Sequence, residues 1–138
     1  MKVFLDTNIL IDVLGRREPF YGPSAELFAL AEKRQITACI SVLSFSTIDY
    51  ILRRHHPKVP ARRVLNGLRR SFLCIPVDLT VLDQALDTAG LDVEDAIQLA
   101  CALQSGADCV ITRDGSHFAR QPIPVQTPLD FLAAYFAE

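Results

Sequence analysis

This chain of 138 residues has no tryptophan, a single methionine and only six glycines. So little glycine, beside 50% hydrophobic and 22% charged residues, excludes a collagen-like, disordered or coiled-coil chain. Apolar runs are short or interrupted by Pro and Ser, so none reaches the roughly 20 residues of a membrane span. The start, MKVFLDTNIL, places Asp6 inside its first apolar run and shows no small-residue cleavage site. A signal peptide is therefore not expected, and a cytoplasmic protein is. No CxxC pair occurs, and none of Cys39, Cys74, Cys101 and Cys109 has a histidine at metal-ligand spacing. All four are expected to be reduced, buried, small hydrophobes. No GxSxG, P-loop or GxGxxG motif, internal repeat or low-complexity linker is present. One domain over residues 1–138 is expected from this length.

Net charge is small, at −2, but it is unevenly spread. Arg53, Arg54, Lys58, Arg62, Arg63, Arg69 and Arg70 are half of the 14 basic residues and fall in one stretch without an acid. From Ser71 to Thr112 there is no Lys or Arg, while Asp78, Asp83, Asp87, Asp92, Glu94, Asp95 and Asp108 all occur. A polyanion suits the first stretch and cations the second; both also suit solvated helix faces.

Residues 2–5 (KVFL), 36–41, 72–77, 109–112 and 123–126 read as strands. Helices are predicted over residues 8–14, 24–34 with Ser24 as cap, 44–54, 60–70, 79–89 and 92–105, and from Pro128 onward. Gly106 suits a helix C-cap and Asp114-Gly115 a turn. Strands that alternate with helices and are apolar throughout predict an α/β fold with a parallel sheet of about five strands.

In such a sheet ligands bind at the carboxyl ends of the strands. Asp6 follows the first strand there, and Asp114 follows the fourth. Asp92, Glu94 and Asp95 open the helix leading into the fourth. Converging carboxylates suit a hard divalent cation such as Mg²⁺. Each acid also has a local use: Asp6 as a helix cap, Asp92 as a cap with Asp95 three residues on, and Asp114 in its turn. The histidines, His55, His56 and His117, offer no nucleophile–base pair. A phosphatase using Asp6 as nucleophile wants a second acid two residues on, where Asn8 stands.

Three segments, KVFLDTNILIDVL, ISVLSFSTIDYILRR and LDVEDAIQLACALQSGADCVITRDGSHF, together resemble the PIN-domain nucleases, and among them VapC-type toxins of toxin–antitoxin pairs. The resemblance covers nearly the whole chain. It implies an α/β/α sandwich and Mg²⁺- or Mn²⁺-dependent cleavage of RNA. It also implies an antitoxin partner and a homodimer. It makes Asp6, Asp95 and Asp114 the catalytic metal ligands, with Thr7, Asn8 and Thr112 in support. Thr47 stands where many members carry a glutamate, a place that Glu94 or Asp92 would fill. On this reading Arg53, Arg54, Arg62, Arg63, Arg69 and Arg70 draw in the RNA backbone. A catalytically weak or inactive PIN-like RNA- or protein-binding module is the alternative.

Overall fold

The computed structural model describes residues 1–113, 115–118 and 121–137. Five strands, β1 (Lys2–Leu5), β2 (Thr37–Ser41), β3 (Leu73–Ile75), β4 (Cys109–Ile111) and β5 (Val125–Gln126), form a parallel sheet in the order β3-β2-β1-β4-β5. The helices are α1 (Thr7–Leu14), α2 (Tyr21–Glu32), α3 (Val42–His55), α4 (Ala61–Ser71), α5 (Leu79–Leu86), α6 (Val93–Ser105) and α7 (Pro128–Phe136). A 3₁₀ turn spans Gly115–Phe118.

Alternation along each strand explains the layers. Val3, Leu5, Ala38, Ile40, Cys109 and Ile111 pack on one side of the sheet, with the apolar faces of α1, α2, α3, α4 and α7. Phe4, Cys39 and Val110 point the other way, into α5 and α6. Successive strand side chains take opposite faces. Both faces are covered, so the strands read as continuous apolar runs. The result is the expected α/β/α sandwich. All four cysteines are free, with Cys39, Cys101 and Cys109 buried and Cys74 partly so. No helix among the described residues is long and apolar enough to cross a membrane.

Helix starts show what local pattern resolves. Asp92 caps α6, its carboxylate accepting from the Asp95 N–H at 2.8 Å, and Gly106 ends the helix in the left-handed region at φ 73°. Ser24 does not cap α2, as its sequence setting suggests. That helix begins at Tyr21, and Phe20 caps it without a side-chain bond. Pro23 is tolerated because N–H groups in a first turn have no intrahelical acceptor to lose. Ser24 thus lies one turn inside, fully buried. Helix α3 similarly starts earlier than predicted, with the Ser41 hydroxyl accepting from Leu43 N–H at 3.1 Å.

Candidate active site

The chain runs from β1 outward to β2 and β3, then returns to β4 and β5 on the other side of β1. The β1/β4 boundary is therefore the topological switch point, where open α/β sheets form their ligand crevice. Asp6 stands there at the carboxyl end of β1, its backbone N–H bonded to the Ile111 carbonyl of β4 at 3.0 Å. It is 6% exposed. Oδ1 accepts from Thr7 N–H at 2.8 Å, and Oδ2 from the Thr112 hydroxyl at 2.9 Å. Asp6 is also the N-cap residue of α1. The helix start thus fixes the carboxylate at the switch point.

A buried polar cluster lies beside it. Thr7 and Ser44 share a hydroxyl–hydroxyl bond of 2.7 Å. Gln98 of α6 donates its Nε2 to Thr7 Oγ1 at 2.9 Å and to Ser44 Oγ at 3.3 Å. The buried Gln98 Oε1 has no hydrogen-bond partner among the described residues. Gln98 lies three residues after Asp95 and four after Glu94, so it shares a helix face with both. By clamping Thr7, it draws the acidic first turn of α6 toward Asp6. Glu94 registers this approach: burial first, then Asp6 and Asp92, push its carboxyl above the usual range. Ser44 also orients α3 toward the site, and Thr47 follows it by one turn on the same face.

Asn8 bridges α1 to the segment after β4. Its Nδ2 reaches Thr112 Oγ1, and its Oδ1 reaches the Arg113 N–H, each at 3.4 Å. Arg113 continues this seam. Its Nε donates to Asp12 Oδ2 at 3.0 Å and its Nη2 to Asp12 Oδ1. Asp12 is fully buried, and Arg17 approaches the same carboxylate at 3.9 Å. The Arg113 guanidinium lies 4.3 Å from the Phe20 ring centre, a cation–π stack. The Asp12–Arg113 pair therefore ties α1 to the residue just before Asp114. Asp114 itself lies outside the described residues.

The arrangement gathers Asp6, Thr7, Asn8, Thr112 and the α6 acids at one edge. It does not gather the whole basic segment there. Arg69 and Arg70 end α4, just before β3, and so lie toward the amino edge of the sheet. Arg53 and Arg54 fall in the last turn of α3, whose 14 residues carry them about 20 Å along the helix from Ser41. Arg53 also approaches Asp49 at 3.8 Å.

Asp12, Ser44, Gln98 and Arg113 escaped the sequence reading. Asp12 left a signal, being an acid within the apolar stretch ILIDVL, where a buried charge demands a partner. Gln98 left none beyond its place one turn from Asp95.

The sequence profile of the PIN domain matches residues 2–116. The chain belongs to the PIN-domain family. Solved structures share this PIN fold over most of their length. A toxin–antitoxin complex from Klebsiella pneumoniae matches at 24% identity and TM-score 0.69, covering 91% of this chain and 97% of that one. VapBC2 from Rickettsia felis, bound to a promoter DNA fragment, matches at 17% identity and TM-score 0.69, covering 92% and 98%. The sarcin-ricin loop cleaving toxin VapC20 of Mycobacterium tuberculosis matches at 17% identity and TM-score 0.69, covering 86% and 95%. Among curated proteins, no sequence matches this PIN domain.

The donor set can be tested against a divalent cation. Asp6, Glu94 and Asp95 offer hard carboxylate oxygens, the chemistry that suits Mg²⁺ or Mn²⁺. The upward push of Asp6 on Glu94 is repulsion that a cation would reverse. Among the described residues, no group of three or more His, Cys, Asp or Glu side chains is close enough to hold a metal. A complete set thus calls on Asp114 or on water ligands.

Proposed function

We propose that this PIN domain is a cytoplasmic, metal-dependent endoribonuclease and the toxin of a toxin–antitoxin pair, acting as a single unit of 138 residues. The observation that carries the reading is the Asp6 carboxylate. Both of its oxygens are fixed at the β1/β4 switch point, beside the acidic turn of α6. Asp6, Asp95 and Asp114 would hold Mg²⁺ or Mn²⁺, with Glu94 near them. Bound there, the cation supplies an activated water and neutralises phosphate charge.

The protein's own groups do the rest. Thr7 N–H and the Thr112 hydroxyl hold the Asp6 oxygens in one orientation, so no reorganisation is needed as substrate arrives. Asn8 fastens the β4 end to α1. Arg53, Arg54, Arg62 and Arg63 attract an RNA backbone along α3 and α4, while Arg69 and Arg70 extend the field toward the far edge. No Trp is present to stack bases, so backbone charge carries more of the affinity. The solved structures of a toxin–antitoxin complex and of VapBC2 support an antitoxin partner, and a homodimer is what the resemblance to VapC-type toxins implies.

A weakly catalytic RNA-binding module is the second reading, favoured by Thr47, which brings a hydroxyl where a carboxylate would complete the site. One experiment separates them. Purified protein is incubated with loop-containing RNA in Mn²⁺ and in chelator, as wild type and as Thr47→Glu. Cleavage in Mn²⁺ that chelator abolishes supports the nuclease. RNA retention without cleavage in wild type, with cleavage gained by Thr47→Glu, supports the binding module.

A further inference from the structure

Two helix-to-strand turns stand side by side at the amino edge of the sheet. Helix α2 leads into β2 and α4 into β3, and β2 and β3 are neighbouring strands. Each turn carries an arginine three residues ahead of its strand, Arg34 before Thr37 and Arg70 before Leu73. Neighbouring strands lie only about 4.8 Å apart, so the two turns adjoin. Between them is a cavity of about 290 Å³. Arg34, Thr37, Arg70 and Ser71, all exposed, form its polar lining, and Ile36 and Phe72, both buried, line it too. No acid is among the described residues that line it. Over residues 31–38 and 66–73, Lys33, Arg34, Arg69 and Arg70 stand against one acid, Glu32.

Arg34 follows the C-cap Lys33 of α2 and lies in the left-handed region at φ 58°. Its N–H bonds the Ala31 carbonyl at 3.0 Å, and the Gln35 N–H bonds the Leu30 carbonyl at 2.9 Å. Glycine is the usual residue at that point of such a turn, and any residue with a Cβ is strained there. What arginine adds at this position is its side chain. That side chain has no hydrogen bond or ion pair among the described residues. Arg70 commits only its Nε, to the Asn66 carbonyl at 3.3 Å, and keeps both Nη groups. The helix ends do not call on these donors. Backbone N–H groups already fill the Ala29, Leu30 and Ala31 carbonyls of α2 and the Leu68 carbonyl of α4.

We propose that this cavity binds a phosphate monoester between Arg34 and Arg70. Guanidinium groups match phosphate oxygens two at a time. Two of them bring two positive charges, and a monoester carries about −1.5 to −2 near pH 7, more than a backbone diester. The Thr37 and Ser71 hydroxyls are donors for the remaining oxygen. The volume is close to the ~300 Å³ at which small-molecule pockets begin, so a phosphate and a sugar-sized group fit. A free sugar phosphate and the 5′-phosphorylated end of an RNA present this same group. From Thr37, β2 runs roughly 13 Å to Ser41 at the carboxyl edge. The cavity is thus separate from the Asp6 site, and the proposal does not rest on the nuclease reading.

The test uses full-length protein in chelator, so that no RNA is cut. Ribose 5-phosphate, ribose, and one short RNA with either a 5′-phosphate or a 5′-hydroxyl are titrated by calorimetry. The phosphorylated probes are expected to bind at roughly millimolar concentration or below, and ribose not to bind. Arg70→Gln should weaken them about tenfold, the loss of one charge-assisted contact. Arg34→Gly should weaken them as much while raising the unfolding midpoint, because glycine relieves the turn. Weaker binding in a more stable protein separates a ligand contact from a structural role. Arg34-dependent binding of ribose 5-phosphate alone assigns the cavity to a small molecule, and of the phosphorylated RNA alone to a strand end; either supports the proposal. A 5′-hydroxyl RNA that binds as tightly as its phosphorylated form, with the same loss in Arg34→Gly, makes this a backbone contact and overturns the monoester site. Failure of both phosphorylated probes to bind, or binding unchanged by both substitutions, also overturns it.

Discussion

Breaking the Asp12–Arg113 pair by Asp12→Ala should be among the most damaging single changes to this domain. Asp12 is fully buried, and the Arg113 side chain is 29% exposed. Removing one partner of a buried pair costs about 3–5 kcal/mol, because the other charge is left uncompensated. Partial exposure and the Phe20 stack let Arg113 recover some solvation, which points to the low end, about 3 kcal/mol. At about 2.1 cal/mol/K per residue, 138 residues give an unfolding entropy near 0.3 kcal/mol/K and a Tm fall of about 10 °C. Urea unfolding and calorimetry read both quantities. The double variant Asp12→Leu, Arg113→Met removes both charges and should recover most of the loss, as apolar replacements of buried pairs do. Because Arg113 adjoins Asp114, Asp12→Ala should also weaken Mn²⁺ binding. A loss below about 1 kcal/mol, the scale of a surface pair, would refute the claim that this pair fastens α1 to the segment after β4.

Three further outcomes are expected. Gln98→Met loses two hydrogen bonds but relieves a carbonyl oxygen that has no partner among the described residues, so stability should change by no more than about 1 kcal/mol. Mn²⁺ affinity should nevertheless fall, as Thr7 loses its clamp; unchanged affinity in calorimetry would remove Gln98 from the site. Replacing Arg62, Arg63, Arg69 and Arg70 by Gln should flatten the salt dependence of RNA binding by up to about 0.7 in log–log slope per lost phosphate contact, measured by filter binding. Given where α4 ends, Arg62 and Arg63 should carry more of that change than Arg69 and Arg70. Burial pushes the Cys109 thiol up to about 11. The folded state therefore keeps a proton that the unfolded chain releases near pH 9, and stability is lost as pH rises from about 9 to 11. Cys109→Ala should flatten that alkaline limb in pH-dependent urea unfolding.

The sheet was legible in the sequence because both its faces are buried: Val3, Phe4 and Leu5 of β1 and Cys109, Val110 and Ile111 of β4 are apolar toward one layer or the other. The Asp92–Asp95 cap was legible because all its atoms lie within four residues. Ser24 misled because a hydroxyl ahead of an apolar run looks the same as a cap and as a buried residue one turn inside. Pro23 was the clue that a first turn was already under way. Contacts such as Gln98 with Thr7, 91 residues apart, have no local pattern to reveal them. The same holds for Arg113 with Asp12, except that an acid amid ILIDVL announces that some partner exists. The spread of the basic segment was hidden because the direction of α4 depends on where β3 enters the sheet.

Titration of Mn²⁺ into wild type and Asp6→Asn protein, followed by calorimetry and by cleavage of the same RNA, tests the central claim most directly. Asp6→Asn keeps the side chain's shape and removes one carboxylate charge from the switch point. Mn²⁺ binding and RNA cleavage should be lost together while the unfolding midpoint stays close to that of wild type. An Asp6→Asn protein that binds Mn²⁺ and cuts RNA as well as wild type would contradict it.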